Sequence, residues 1–187
     1  MSAARLSEPA VEPASVADLR DWLRADAGVE DAILANLVAA ARQALEGHTR
    51  RAFISQEWRF TYLSCGADGL MRLPLGPLRS VAAIRCYDAD GVATTLPSQA
   101  VAMDQDDQRP AVRVLDAAAR ARSVRFEVDV VVGYGDDPAS VPAPLRQAIL
   151  MLATNWHARR GDHPEIDLTI PRAVTALVAS FRRVRLS

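Results

Sequence analysis

The clearest strand signal in the chain is the stretch 123–134. Val124, Phe126, Val128, Val130, Val132 and Tyr134 fall on one side, and Arg125, Glu127 and Asp129 on the other. A two-residue period means a strand with one buried and one wet face, and alternation this clean belongs to an antiparallel sheet. The chain therefore has to supply partner strands. Trp58, Phe60 and Tyr62 alternate with Arg59 and Thr61. Residues 70–75 form a second run, closed by the Gly76-Pro77 turn. Residues 81–87 form a third, and Asp88-Ala89-Asp90-Gly91 supplies turn chemistry leading into residues 92–96. Residues 112–115 complete a set of six strand signals. The acidic run Asp104-Gln105-Asp106-Asp107 reads as a loop.

Either side of this set the period changes to that of a helix. Ser15 and Asp18 make a capping-box start, and Val16, Leu19, Trp22 and Leu23 give a short amphipathic helix over 15–25. The stretch 29–46 is longer and less one-sided. Ile33, Leu34, Leu37, Val38 and Leu45, filled in by Ala40, Ala41 and Ala44, span an arc of roughly 160°, wider than one core-facing stripe needs. The opposite arc holds Asp31, Asn36, Arg42, Gln43 and Glu46, interrupted by Ala32, Ala35 and Ala39. Small residues let another backbone approach, so these three alanines are candidates for contact between copies. Pro142 and Pro144 open a third helix over 142–160, with Leu145, Ile149, Leu152 and Trp156 as its core stripe. Leu150 and Met151 lie off that stripe and join the inter-subunit candidates. Pro171 opens a last helix, where Val174, Leu177, Val178, Phe181 and Val184 share a face and Arg182, Arg183 and Arg185 gather at the end.

The fold class that follows is α+β. A helical frame, made of an N-terminal helix pair and two C-terminal helices, carries an inserted small antiparallel β-sheet module over 57–135. Residues 1–13 read as a flexible tail, 14–161 as the body, and 162–187 as a connector with a terminal docking helix.

All 22 basic residues are arginine. The formal charge is −1, and half the residues are apolar, which excludes disorder and wholesale electrostatic binding. The charge is uneven, however: residues 142–187 hold 7 Arg against 3 acids. A basic end on an acidic body suits docking to something acidic. Cys65 and Cys86 have no metal spacing and read as free thiols. No apolar run approaches roughly 18 residues, so a soluble protein made in the cytoplasm is expected, with no membrane partner.

Candidate chemistry is thin. His48, His157 and His163 have no carboxylate or nucleophile at a spacing that builds a triad or a metal site. Tyr134-Gly135-Asp136-Asp137 spells the metal-binding hairpin of RNA-dependent RNA polymerases, but it ends a strand and enters a Pro-rich turn, so a strand stop is expected. The run from Asp104 to Asp107 lacks the glycine and distal glutamate of a calcium loop. No phosphate loop or nucleophile elbow is present. Neither catalytic residues, nor a metal site, nor a cofactor is expected.

From about residue 13 to residue 187 the chain resembles the head–tail connector (adaptor) proteins of long-tailed bacteriophages and related gene transfer agents. The likeness rests on Pro13 and Ser15 with Leu19 and Leu23, on Glu30-Asp31, on Ala40-Ala41-Arg42 with Glu46 and Thr49, and on Gln56 with Trp58. It continues through Leu73-Pro74, Pro77-Leu78, Ser80-Val81, the hairpin from Tyr87 to Gly91, and Gly133-Tyr134-Gly135. The most specific stretch is 141–150, VPAPLRQAIL, followed by Trp156, Pro171, Val174, Leu177 and Phe181-Arg182. One departure is Arg50, where the family often has glycine.

The resemblance implies a non-enzymatic, structural role in the neck of a virion or virion-like particle. A ring, typically of twelve copies, would lie beneath the portal protein, extend the DNA channel without specific DNA binding, and carry a tail-side stopper or tail protein. It also implies that Phe181, Arg182, Arg183, Arg185 and Leu186 dock on the portal. Two other readings compete with this one. The first is a sequence-independent DNA-binding protein using the basic C-terminal end. The second is a small hydrolase or nuclease using Asp136 and Asp137.

Overall fold

A computed structural model describes residues 1–24, 31–159 and 169–183. The described residues form two compact units, those of 1–9 and 55–134 in one and those of 10–54 and 135–183 in the other.

The first unit holds two antiparallel sheets. Its larger sheet has five strands in the order β1-β2-β8-β4-β5: β1 (Ser2–Arg5), β2 (Gln56–Tyr62), β8 (Arg125–Val132), β4 (Leu78–Tyr87) and β5 (Ala93–Thr95). The smaller has the order β3-β7-β6, with β3 (Leu70–Arg72), β7 (Ala111–Val114) and β6 (Val101–Asp104). In the large sheet β8 is central, pairing with β2 so that Phe60 faces Val128 and with β4 so that Ile84 faces Val128. One face carries the buried side chains Phe60, Ile84, Cys86, Phe126, Val128 and Val130. Alternation along three neighbouring strands puts these apolar groups in register, which is why the sequence settles on this pairing. The small sheet buries Met71, Val112 and Val114, and Tyr62 donates its hydroxyl to the Arg72 carbonyl at 2.8 Å.

The second unit is helical: α1 (Val16–Leu23), α2 (Asp31–Thr49), α4 (Ala143–Ala158) and α5 (Arg172–Leu177), with a 3-10 turn over Ala179–Phe181. Helices α1, α2 and α4 pack on one another, and α5 packs on α4. The core-facing residues of α2 are Leu34, Val38, Ala41, Leu45 and Thr49; those of α4 are Leu145, Ala148, Ile149, Leu152, Ala153 and Trp156. The chain leaves this unit at Ile54 and re-enters it at Gly135, and these two residues form a parallel bridge.

The α+β class and the inserted sheet module stand, but several details differ from expectation. Residues 1–13 are not a loose tail. Strand β1 pairs with residues 58–61 of β2, and Glu12 is ion-paired with Arg42 at 2.8 Å. The expected single sheet is two, because β6 and the short helix α3 (Ala117–Arg122) escaped the pattern reading. Asp104, placed in a loop, ends β6. Val124 lies outside β8 and is 52% exposed.

Helix α2 runs on past Gly47 to Thr49, whose hydroxyl donates to the Leu45 carbonyl at 2.7 Å. Its end is set by Arg50 at φ 59, in the left-handed region. The Arg51 N–H then closes on the Glu46 carbonyl at 3.3 Å, a Schellman arrangement. This is the position where the family resemblance expects glycine, and the backbone gives the reason.

Candidate interface surfaces

The capping box forms as read. Asp18 N–H donates to Ser15 Oγ at 3.0 Å and Ser15 N–H to Asp18 Oδ2 at 2.8 Å. Hydrogen bonding from the Ser15 N–H, and then from its side chain, holds the Asp18 carboxyl below its ordinary 3.8. Behind it, Pro13, Ala14, Asp18, Asp21 and Trp22 face Ala143, Arg146, Gln147 and Leu150 across an open cleft of about 470 Å³. Trp22 is 49% exposed, and Leu150, expected at a second contact, is half-buried on the cleft wall. Met151 is likewise half-buried.

On α2 the apolar arc divides. The core takes one side of it, while Ile33, Leu37, Ala40 and Ala44, spaced as one helical stripe, remain exposed or half-buried. Ala32 and Ala35 are exposed and Ala39 is half-buried. The excess arc width seen in the sequence is thus unfilled surface rather than extra core. Arg42 and Glu46, assigned to the polar arc, are instead buried. Arg42 Nη1 binds Glu46 Oε2 at 2.8 Å and Nε binds Glu12 Oε2 at 2.8 Å, while Glu46 Oε1 accepts the Phe53 N–H at 2.7 Å. Their spacing of four, together with a carboxylate upstream, was the available signal.

At the C-terminal end, Arg51 Nε donates to the Phe181 carbonyl at 2.7 Å, and the Arg183 N–H to the Thr49 carbonyl at 3.2 Å. Main-chain contacts therefore fix the segment while Arg182 stays exposed and the Phe181 and Arg183 side chains are half-buried. His48, in the last turn of α2, is pushed below its ordinary 6.5 by burial and then by the Arg182 charge. Arg185 and Leu186, and likewise His163, lie outside the described residues.

The wet face of the large sheet is a charge lattice. Asp129 is bound by Arg59 (2.7 and 2.9 Å) and by Arg85 (2.9 Å to both terminal nitrogens). Tyr87 donates its hydroxyl to Glu127 at 2.9 Å, and the Arg125 guanidinium sits 3.9 Å over the Tyr87 ring. The carboxylates lie deepest: Asp129 is only 7% exposed. The Arg59 hydrogen bonds, with those from Arg85, hold it below the usual 3.8 against the opposing effect of burial. At one end of the same sheet Leu63, Val92 and Val124 are 75%, 60% and 52% exposed.

Three of the candidate acidic residues take part in local turns. Asp137 Oδ1 caps a 3-10 turn by accepting the Ala139 N–H at 2.8 Å. Gly135 is required because a Cβ there would meet Ser140 Oγ at 2.4 Å. Asp104 and Asp106 accept N–H bonds from residues two further on, at 3.1 and 2.7 Å. Among the described residues no cluster of three or more His, Cys, Asp or Glu could hold a metal ion, and no helix is long and apolar enough to cross a membrane. Cys86 is buried and Cys65 half-buried; both are free thiols, and burial raises that of Cys86.

Neither a family model nor a curated protein matches the sequence. Solved structures do. The chain is similar to a protein in the virion of a native gene transfer agent particle, with 30% identity over 100% of this chain and 98% of that one and a TM-score of 0.82. It belongs to the virion proteins of gene transfer agent particles. Two further likenesses give the location. One is to a chain in the neck of an empty particle computed with C6 symmetry (28% identity, TM-score 0.80), the other in the neck of a native particle computed with C12 symmetry (29%, 0.76). Each covers 100% of this chain and 98% of the other. For a structural neck protein the surfaces matter more than the clefts. Those above are the C-terminal arginines, the outward stripe of α2 and the exposed sheet end.

Proposed function

We propose that the chain is a head–tail connector (adaptor) subunit. Copies of it, twelve in the ring, sit beneath the portal protein and join the DNA-filled head to a tail-side stopper or tail protein. The observation that carries this reading is the end-to-end likeness to neck chains, one of them in a neck computed with C12 symmetry. A closed ring needs heterologous contacts, in which two different surfaces of each copy meet. Helix α2 supports that requirement, with one face in its own core and Ile33, Leu37, Ala32 and Ala35 left outside it. Leu150 and Met151 are the matching candidates on α4.

In this reading Phe181, Arg182 and Arg183, with Arg185 and Leu186 beyond them, dock on the portal. Arg182 is available for it, since the segment is held through its backbone. DNA passes through the ring without sequence recognition, and the protein does its work by assembly, with neither catalysis nor a cofactor. The test is to produce particles without this protein. Filled heads and separate tails are expected, and normally joined particles would overturn the proposal.

A further inference from the structure

Strand β1 is attached to its sheet in an unusual way. Its residues Ser2, Ala3, Ala4 and Arg5 face Thr61, Phe60, Arg59 and Trp58, yet all four are exposed. The backbone ladder holds the strand, prolonged by bonds from the Leu6 and Ser7 N–H groups to the Glu57 carbonyl (2.8 and 3.3 Å) and from the Glu57 N–H to Ser7 Oγ (2.9 Å). The Arg5 guanidinium adds a contact 5.8 Å from the Trp58 ring. No apolar side chain of the strand enters a core.

Five residues further on the chain is anchored firmly, by the Glu12–Arg42 pair and by the buried Ala14. Residues 1–9 belong to the sheet unit and residues 10–54 to the helical one. Between the two anchors lie only residues 8–11, with Pro9 among them. An arm held chiefly by its backbone ladder, with no apolar side chain in a core, on a short hinge is the arrangement that favours strand exchange, because the same contacts form equally well on a neighbouring copy. A neighbour fixed alongside in a ring raises the effective concentration of its vacated edge.

We propose that in the assembled ring residues 2–7 form the edge strand on the sheet of the adjacent copy, linking each subunit to the next. This rests on the ring reading above.

The test uses the facing pair Ser2 and Thr61. The double variant Ser2→Cys/Thr61→Cys, in a Cys65→Ser background, is assembled into particles, oxidised and run without reductant. Exchange gives a ladder of covalent multimers extending to the full ring. A single monomer band, with the two cysteines joined within one chain, would overturn the proposal and leave the ring intact. If the unmodified protein is itself absent from purified particles, the ring reading falls and this inference with it. Should the double variant fail to fold, a photo-reactive phenylalanine analogue at the exposed position 2 gives the same distinction, a cross-linked dimer against a monomer.

Discussion

Arg51 donates its Nε–H to the carbonyl oxygen of Phe181 at 2.7 Å, spanning 130 residues of chain. Arg51 is itself 2% exposed, so the helix end and the C-terminal segment are stabilised together. Replacing Arg51 with alanine is expected to cost on the order of 1–3 kcal/mol, the usual range for a charge-assisted bond lost in a buried setting. It should also speed tryptic cleavage after Arg182. An unchanged cleavage rate would show that the segment is held by other means.

Arg182→Glu with Arg183→Glu tests the docking surface and leaves the Arg51–Phe181 bond in place, with the single variant Arg182→Glu as the control for the half-buried Arg183 side chain. Far-ultraviolet circular dichroism and urea unfolding of Arg182→Glu should match the parent within about 0.5 kcal/mol, as for a change at an exposed residue. Attachment of tails to filled heads should fail. Normal tailed particles would remove these arginines from the portal contact.

The end of α2 offers two stabilising changes. Gly47 is helical, and a Cβ added there meets nothing within 4 Å, so Gly47→Ala should add about 0.5–1 kcal/mol. Arg50 sits at φ 59, and Arg50→Gly should relieve strain of about 1 kcal/mol. Each is expected to raise Tm by roughly 1–4 °C in a chain of this size. The opposite substitution at the first site, Gly47→Pro, should break the helix.

Asp129 governs acid stability of the sheet. Its carboxyl is held below 3.8 by Arg59 first, with Arg85 adding to it, so the folded state favours the ionised form. That contribution is complete above the ordinary carboxylate range and disappears as pH falls through the lowered value. Asp129→Asn should therefore lower the urea midpoint at neutral pH. The gap from the parent should narrow as pH drops below 3.8. A gap that stayed constant with pH would mean that the carboxylate contributes by packing alone.

How much of this could be read beforehand depended on whether the determining pattern was local. The alternation read over residues 123–134 and the stripe of Leu145, Ile149, Leu152 and Trp156 are written in nearby residues; the strand formed over the shorter span Arg125–Val132, and the stripe is buried as read. Arg42 and Glu46 pair locally at a spacing of four, but their burial depends on Glu12, 30 residues upstream of Arg42, and on the Phe53 N–H, to which no periodicity links them. Strand β1 was missed for a similar reason: Ser2, Ala3 and Ala4 have little strand propensity and gain their conformation from the edge of β2. Of the interface candidates, the local small-residue signal located Ala32 and Ala35 on the surface. It could not say that Ile33 and Leu37 would stay there too, since that depends on how much of the arc α4 covers.

The bridge between Ile54 and Gly135 closes the helical unit at the two points where its chain is interrupted. Changes of length within residues 55–134 leave that closure where it is, because neither bridging residue lies in the inserted stretch. Successive neck proteins could thus acquire new surfaces for new partners on one inherited frame.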